Sequence, residues 1–207
     1  MSDLIIYSIG FVAQILFSSR LLIQWFYSEK KNTIITPSIF WVLSLIASFL
    51  LFVYGYLRND FAIMLGQSLT YFIYIRNLQL QNKWIKLSIY LRFFILFFPL
   101  IIVTYYFNNN KIDLDILILE NDIPKWLFVL GIVSQVTFTF RFIYQWIYSE
   151  KKKESKLPIN FWLLSILGSF LILLYAFYRE DPVLIIGHLI GSFIYLRNIY
   201  IYYKFDK

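Results

Sequence analysis

The chain has no cysteine, which excludes a disulfide framework, thiol catalysis and a thiolate metal site. It has one histidine, His188, so a metal site of several histidines is excluded as well. Charge is scarce: 15% of the 207 residues are charged, against about 25% in an ordinary soluble domain. Long polar stretches are missing, the longest being about residues 107–123, so no separate soluble domain is expected. A basic leader is also missing. The first apolar run carries Asp3 and continues unbroken to Ser28, so it reads as a retained helix rather than a signal peptide.

What fills the sequence is apolar: 60% of residues are hydrophobic and 22% aromatic. Seven apolar runs are each about 20 residues long, enough for a helix to cross a hydrocarbon layer of about 30 Å. They lie near 4–27, 37–57, 61–80, 87–106, 126–148, 158–178 and 182–203. The expected fold is therefore all-α, a polytopic membrane protein of seven transmembrane helices. Lysines follow the odd-numbered runs, at Lys30 and Lys31, Lys83 and Lys86, Lys151 to Lys153 and Lys156, and Lys204 and Lys207. The other side holds most of the acids. The positive-inside rule then puts the N-terminus outside and the C-terminus in the cytoplasm. The net charge of +7 reads as this topology signal, and no nucleic-acid partner is expected.

Residues 10–77 align without a gap on residues 131–198, with 29 of 68 positions identical. Gln14, Phe17, Arg20, Gln24, Trp25, Ser28 and Glu29 recur as Gln135, Phe138, Arg141, Gln145, Trp146, Ser149 and Glu150. Pro37, Phe40, Trp41, Ser44 and Ser48 recur as Pro158, Phe161, Trp162, Ser165 and Ser169. Tyr54, Arg58, Asp60, Gly66, Tyr74, Arg76 and Asn77 recur as Tyr175, Arg179, Asp181, Gly187, Tyr195, Arg197 and Asn198. Three runs per copy would invert the second copy, and the fourth run restores its direction. The expected organisation is a first repeat over 1–82, a linker helix and outer loop over 83–123, and a second repeat over 124–207. Such 3+1+3 parallel repeats are a transporter architecture with the site between the repeats.

The duplicated polar residues are the candidate site. Arg20, Gln24 and Ser28 share one helical face, as do Arg141, Gln145 and Ser149. Two readings of each arginine stand open. It snorkels to the headgroups over an apolar stem, or the two Arg–Gln faces meet and bind an anionic group such as phosphate, which guanidinium forks match. Arg76–Asn77 and Arg197–Asn198 lie at the same depth and could enlarge the cluster. Gln14 and Gln135 sit at mid-helix, where an amide either bridges helices or lines a polar cavity. Gln67 and His188 are equivalent positions that differ, and His188 reads as packed rather than as a proton relay. Glu29 and Glu150 read as solvated helix ends. Trp25, Trp146, Trp41 and Trp162 fall where aromatic belts form. Pro37 and Pro158 suit a first helical turn, and Pro99 is expected to kink the fourth helix. Arg58–Asp60 and Arg179–Asp181 are expected to pair locally.

The string Gln–x2–Phe–x2–Arg–x3–Gln–Trp–x2–Ser–Glu, then Pro–x2–Phe–Trp, then Tyr–x–Arg–Asn, occurs in both copies. It resembles the lipid A biosynthesis N-terminal domain family, whose layout is similar to that of PQ-loop and SWEET-type proteins. Ala13 and Ser134 stand where PQ-loop proteins carry proline. The resemblance implies bacterial envelope glycolipid work in the inner membrane, with polyprenyl-phosphate glycosyltransferases as possible partners. The expected function is a transporter or flippase for a polyprenyl-phosphate-linked sugar or related glycolipid in lipid A and lipopolysaccharide biosynthesis. Arg20, Arg141, Gln24 and Gln145 would hold the phosphate, assisted by Arg76 and Arg197. The alternatives are a SWEET-like small-solute permease, and a membrane accessory or enzyme acting on lipid A precursors. No enzyme activity and no cofactor are expected, and the chain is expected to be a monomer or homodimer.

Overall fold

The computed structural model describes residues 3–97 and 123–206, and among these every regular element is helical. Helix α1 spans Asp3–Lys31, α2 Ser38–Leu57 and α3 Phe61–Leu80, followed by a 3-10 turn at Trp84–Lys86. Residues 89–97 form α4. Then come α5 over Lys125–Lys152, α6 over Ile159–Tyr178 and α7 over Pro182–Ile201, with a π-helical turn at Tyr202–Asp206. Five of these helices are long and apolar enough to cross a membrane by length and composition: α1, α2, α5, α6, and α7 with its final turn. Helix α3 has 20 residues, about 30 Å at 1.5 Å per residue, but is less apolar because Gln67, Thr70, Arg76, Asn77 and Gln79 interrupt it. Pro99 and most of the run expected at 87–106 lie outside the described residues.

The helix ends have local causes. Asn32, Asn59, Asn82, Lys153 and Glu180 adopt φ between 51° and 56°, the left-handed conformation that closes many helix C-termini. One residue past Asn59 and Glu180, Asp60 accepts the Ile63 N–H at 3.1 Å and Asp181 accepts the Val183 N–H at 2.9 Å. Each aspartate thereby caps the next helix, so one tight turn ends α2 and starts α3, and another does the same for α6 and α7. Pro37 and Pro158 stand one position earlier than expected, as the extended residues preceding α2 and α6, with ψ of 151° and 163°.

Within each copy the helices pack in sequence, α1 on α2 on α3 and α5 on α6 on α7. Between copies α1 packs on α7 and α3 on α5, so the first helix of each copy meets the third of the other. Glycine sets how close these crossings come: a Cβ at Gly66 would collide with the Gln135 amide, and one at Gly187 with the Gln14 amide. The polarity is inverted relative to a water-soluble domain. Arg20, Gln24, Ser28, Asn77, Arg141, Gln145 and Asn198 are buried, whereas Leu4, Phe26, Tyr90, Phe170, Phe177 and Phe193 are exposed.

Trp41 and Trp162 are fully buried at 0% exposure, which corrects the expectation that they sit in an outer aromatic belt. Each packs edge-on against the preceding phenylalanine, Phe40 or Phe161, in the core that joins the two copies. Their position near a helix start is common to belts and to cores, and burial decides between them.

The copies differ where α6 crosses α5. A Cβ at Gly168 would lie 2.7 Å from the Phe138 Cα, and backbone cannot yield as a side-chain tip does. The equivalent position in α2 is Ala47, buried and accommodated. Gly168→Ala should therefore destabilise the protein by about 1–3 kcal/mol, as overpacking does. A lower melting temperature in detergent is the expected result, and one equal to or above wild type would contradict the close crossing.

Candidate functional site

The two copies meet in polar layers stacked along the bundle. At the α2–α3 and α6–α7 turns, the Tyr54 hydroxyl donates to Asp181 at 2.9 Å and the Tyr175 hydroxyl donates to Asp60 at 2.6 Å. Arg58 lies 3.9 Å from Asp181, and Arg179 lies 3.8 Å from Asp60. This corrects the expected local pairing of Arg58 with Asp60 and of Arg179 with Asp181. Each aspartate already faces its own helix N-terminus as a cap, and its free oxygen is turned to the other copy. Burial pushes the Asp60 carboxyl above its ordinary range, against the opposing pull of the Tyr175 hydroxyl, the Ile63 N–H and Arg179.

At the opposite end the crossing repeats. Gln24 donates to Asn198 at 2.9 Å and to Ser28 at 2.8 Å, while Gln145 donates to Asn77 at 2.8 Å and to Ser149 at 2.9 Å. The Ser28 and Ser149 hydroxyls in turn accept the Ile35 and Lys156 N–H groups, pinning the loops that enter α2 and α6. Arg197 pairs with Glu29, and Arg76 pairs with Glu150. Trp25 and Trp146 donate to the same two glutamates at 3.0 and 3.1 Å. The glutamates thus join the two copies by ion pairs at helix ends where Glu29 stays exposed and Glu150 half-buried.

Arg20 and Arg141 lie between these layers. They are 3% and 2% exposed, which corrects the snorkelling alternative: neither guanidinium reaches out of the bundle. Arg20 donates to Ser44, and Arg141 donates to Ser165 at 3.0 Å. Both sit over aromatic faces, an arrangement that favours a cation electrostatically. Their guanidinium carbons lie 5.6 and 4.5 Å from the centroid of one shared ring, Phe142. Among the described residues no ion pair includes either arginine. Beside them is a cavity of about 50 Å³ whose wall includes Gln14, Gln67, Gln135, His188 and Tyr195 and, among the described residues, no acid. At roughly 10–15 Å³ of such volume per water, it has room for a few waters or one small oxyanion.

The cavity is symmetric in its arginines and asymmetric around them. Arg141 also donates to the Tyr195 hydroxyl at 3.0 Å, and no such bond joins Arg20 to Tyr74. The cause lies one turn away. A Cβ at Gly191 would meet the Tyr195 hydroxyl at 3.0 Å, and Thr70 occupies the equivalent place beneath Tyr74. His188 Nδ1 lies 3.0 Å from the Ser169 hydroxyl, with its ring against Phe138. Gln67, at the matching position, has a buried carbonyl oxygen with no partner.

Of the expected site residues, the structure brings Arg20, Arg141, Gln14 and Gln135 together at the cavity. Gln24, Gln145, Asn77 and Asn198 form the two side networks, and Arg76 and Arg197 are spent on glutamates. Sequence reasoning did not find the Tyr–Asp crossings, because the partner of each tyrosine is about 120 residues away. The conserved spacing of Tyr54 to Asp60 and of Tyr175 to Asp181 was the available signal.

A duplicated three-helix unit, closed crosswise around a polar interior, is the class of protein that these features define. The chain belongs to the family described as the Lipid A Biosynthesis N-terminal domain, which matches residues 9–79 and 130–200, once per copy. It is 33% identical over 210 residues to a lipid-A-disaccharide synthase of Chlamydia felis, and 31% identical to that of Chlamydia caviae. It is 28% identical over 205 residues to the protein of that name from Chlamydia pneumoniae. These alignments cover 97% of this chain and 33 or 34% of each relative, so the chain spans about a third of their length. No solved structure matches. The synthase name of the relatives overturns the expected transporter or flippase for a polyprenyl-phosphate-linked sugar, and with it the expected absence of enzyme function.

The crossed Tyr–Asp bonds should each carry measurable stability. Tyr54→Phe or Tyr175→Phe strips a buried carboxylate of a donor, at a cost of about 1–3 kcal/mol. Urea or thermal unfolding in detergent should show both losses at similar size, and a variant as stable as wild type would show that the crossing is not formed.

Proposed function

We propose that this chain is the membrane-embedded part of a lipid-A-disaccharide synthase system, an accessory unit that holds a lipid A precursor for a sugar-transferring enzyme domain. The observation that carries this reading is the family match in both copies, together with the synthase name of relatives three times as long. The inverted polarity supports it: Phe, Leu and Ile side chains cover the outside, as lipid requires, and polar groups find partners inside. The seven helices form a 3+1+3 bundle in the bacterial inner membrane, with residues 83–123 joining the repeats of 1–82 and 124–207. The lysine-rich end, where Glu29 meets Arg197, faces the cytoplasm, where a nucleotide-sugar donor would be used, and the Tyr–Asp turns face outward. Because the repeats close on each other within one chain, a monomer suffices to complete the bundle.

Disaccharide formation from a lipid A precursor, measured in liposomes with the sugar-transferring portion of a lipid-A-disaccharide synthase, tests the proposal. Adding this chain should raise turnover several-fold, and a photoreactive precursor should label it. Unchanged turnover with no labelling would refute the accessory role.

A further inference from the structure

We infer that the cavity between Arg20 and Arg141 is a seat for a single oxyanion of the phosphate class. This goes beyond the proposed function, because it holds whichever lipid the protein serves. Two guanidiniums are buried around one phenylalanine ring, at 5.6 and 4.5 Å from its centroid. Neither has a carboxylate partner among the described residues. A buried unpaired charge is costly, and two of the same sign at close quarters repel as well. Cation–π contacts and serine hydroxyls offset part of that cost but neutralise nothing.

The hydrogen-bond inventory points the same way. Arg20 Nε and Arg141 Nε are both buried without an acceptor. The amides of Gln14 and Gln135 also line the cavity, each an NH2 donor on the wall beside the guanidiniums. Gln67 lines the same wall with its Oε1 buried and unpartnered, and a flip of that amide turns a further NH2 donor toward the anion. The seat is also lopsided. Arg141 already donates to both Ser165 and Tyr195, whereas among the described residues Arg20 donates to Ser44 alone. Arg20 therefore keeps more of its fork free and is the principal ligand, with Arg141 held as its fixed counterpart. The anion could be a lipid headgroup or free phosphate, since both present the same group.

The full chain in nanodiscs, followed by its melting temperature, distinguishes the cases. Inorganic phosphate and dodecyl phosphate are titrated separately, with sodium chloride at matched ionic strength as control. At least one phosphate probe should raise the melting temperature saturably, as a ligand of the folded state does, and chloride should not. Dodecyl phosphate binding at least tenfold tighter identifies a headgroup, and equal affinities identify free phosphate. Arg20→Gln should weaken binding about 10- to 100-fold, the range expected for lost charge-assisted hydrogen bonds. Arg20→Lys, which keeps the charge and loses the fork, should fall between. A wild-type protein that responds to neither probe beyond chloride overturns the inference without reference to any variant, and so does an undiminished response in Arg20→Gln. Phosphate binding without any effect on disaccharide formation would sink the accessory role and leave this seat standing.

Discussion

Everything in this bundle depends on one constraint: polar groups placed inside an apolar exterior must find each other. Helices satisfy their own backbone, but the buried amides, hydroxyls, carboxylates and guanidiniums need partners from another helix. The protein meets this by duplication. An amide on the first helix of each copy reaches the third helix of the other, Gln24 to Asn198 and Gln145 to Asn77. Glu29 and Glu150 take Arg197 and Arg76 in the same way. A pseudo-twofold relation satisfies two sets of groups with one pattern, and half a bundle would lose every one of these cross-copy bonds.

The helical framework was largely legible in the sequence, because run length and a gapless repeat are local properties. The expected spans at 37–57 and 61–80 fall within a residue of α2 and α3. The mid-helix Gln14 and Gln135 were legible as polar groups that need a partner or a cavity, and the structure gives them the cavity. Partner identity was not legible. Asp60 and Asp181 looked like partners of the arginines two residues before them, and only the crossing of helices shows that each serves the opposite copy. The fate of Trp41 and Trp162 was hidden for a related reason, since tertiary packing rather than sequence position decides between core and belt.

Duplication followed by small departures also explains the form of the cavity. The arginines and their serine partners are the same in both copies, as are Phe17 with Phe138 and Phe40 with Phe161, whereas the shared ring Phe142 has Leu21 as its counterpart. The third helices differ too, with Gln67 matched by His188 and Thr70 by Gly191. Losing one side chain at Gly191 lets Tyr195 reach Arg141, which leaves Arg20 the less satisfied of the pair. Placed in the proposed synthase system, such a bundle supplies a charged interior within reach of the membrane, while sugar transfer belongs to another domain. Carriage of a sugar across the membrane is not required by any of these features.

A pair of engineered cysteines tests the crosswise closure of the two copies most directly. A Cβ at Gly66 lies 3.6 Å from the Gln135 Cβ, within the span of about 3.5–4.5 Å that a disulfide bridges. The chain has no cysteine of its own, so the background is clean. Gly66→Cys/Gln135→Cys oxidised in native membranes should form an intramolecular bond at monomer mass, detectable as a linked peptide pair joining α3 to α5. Free thiols after oxidation, or dimers alone, would contradict the crosswise bundle.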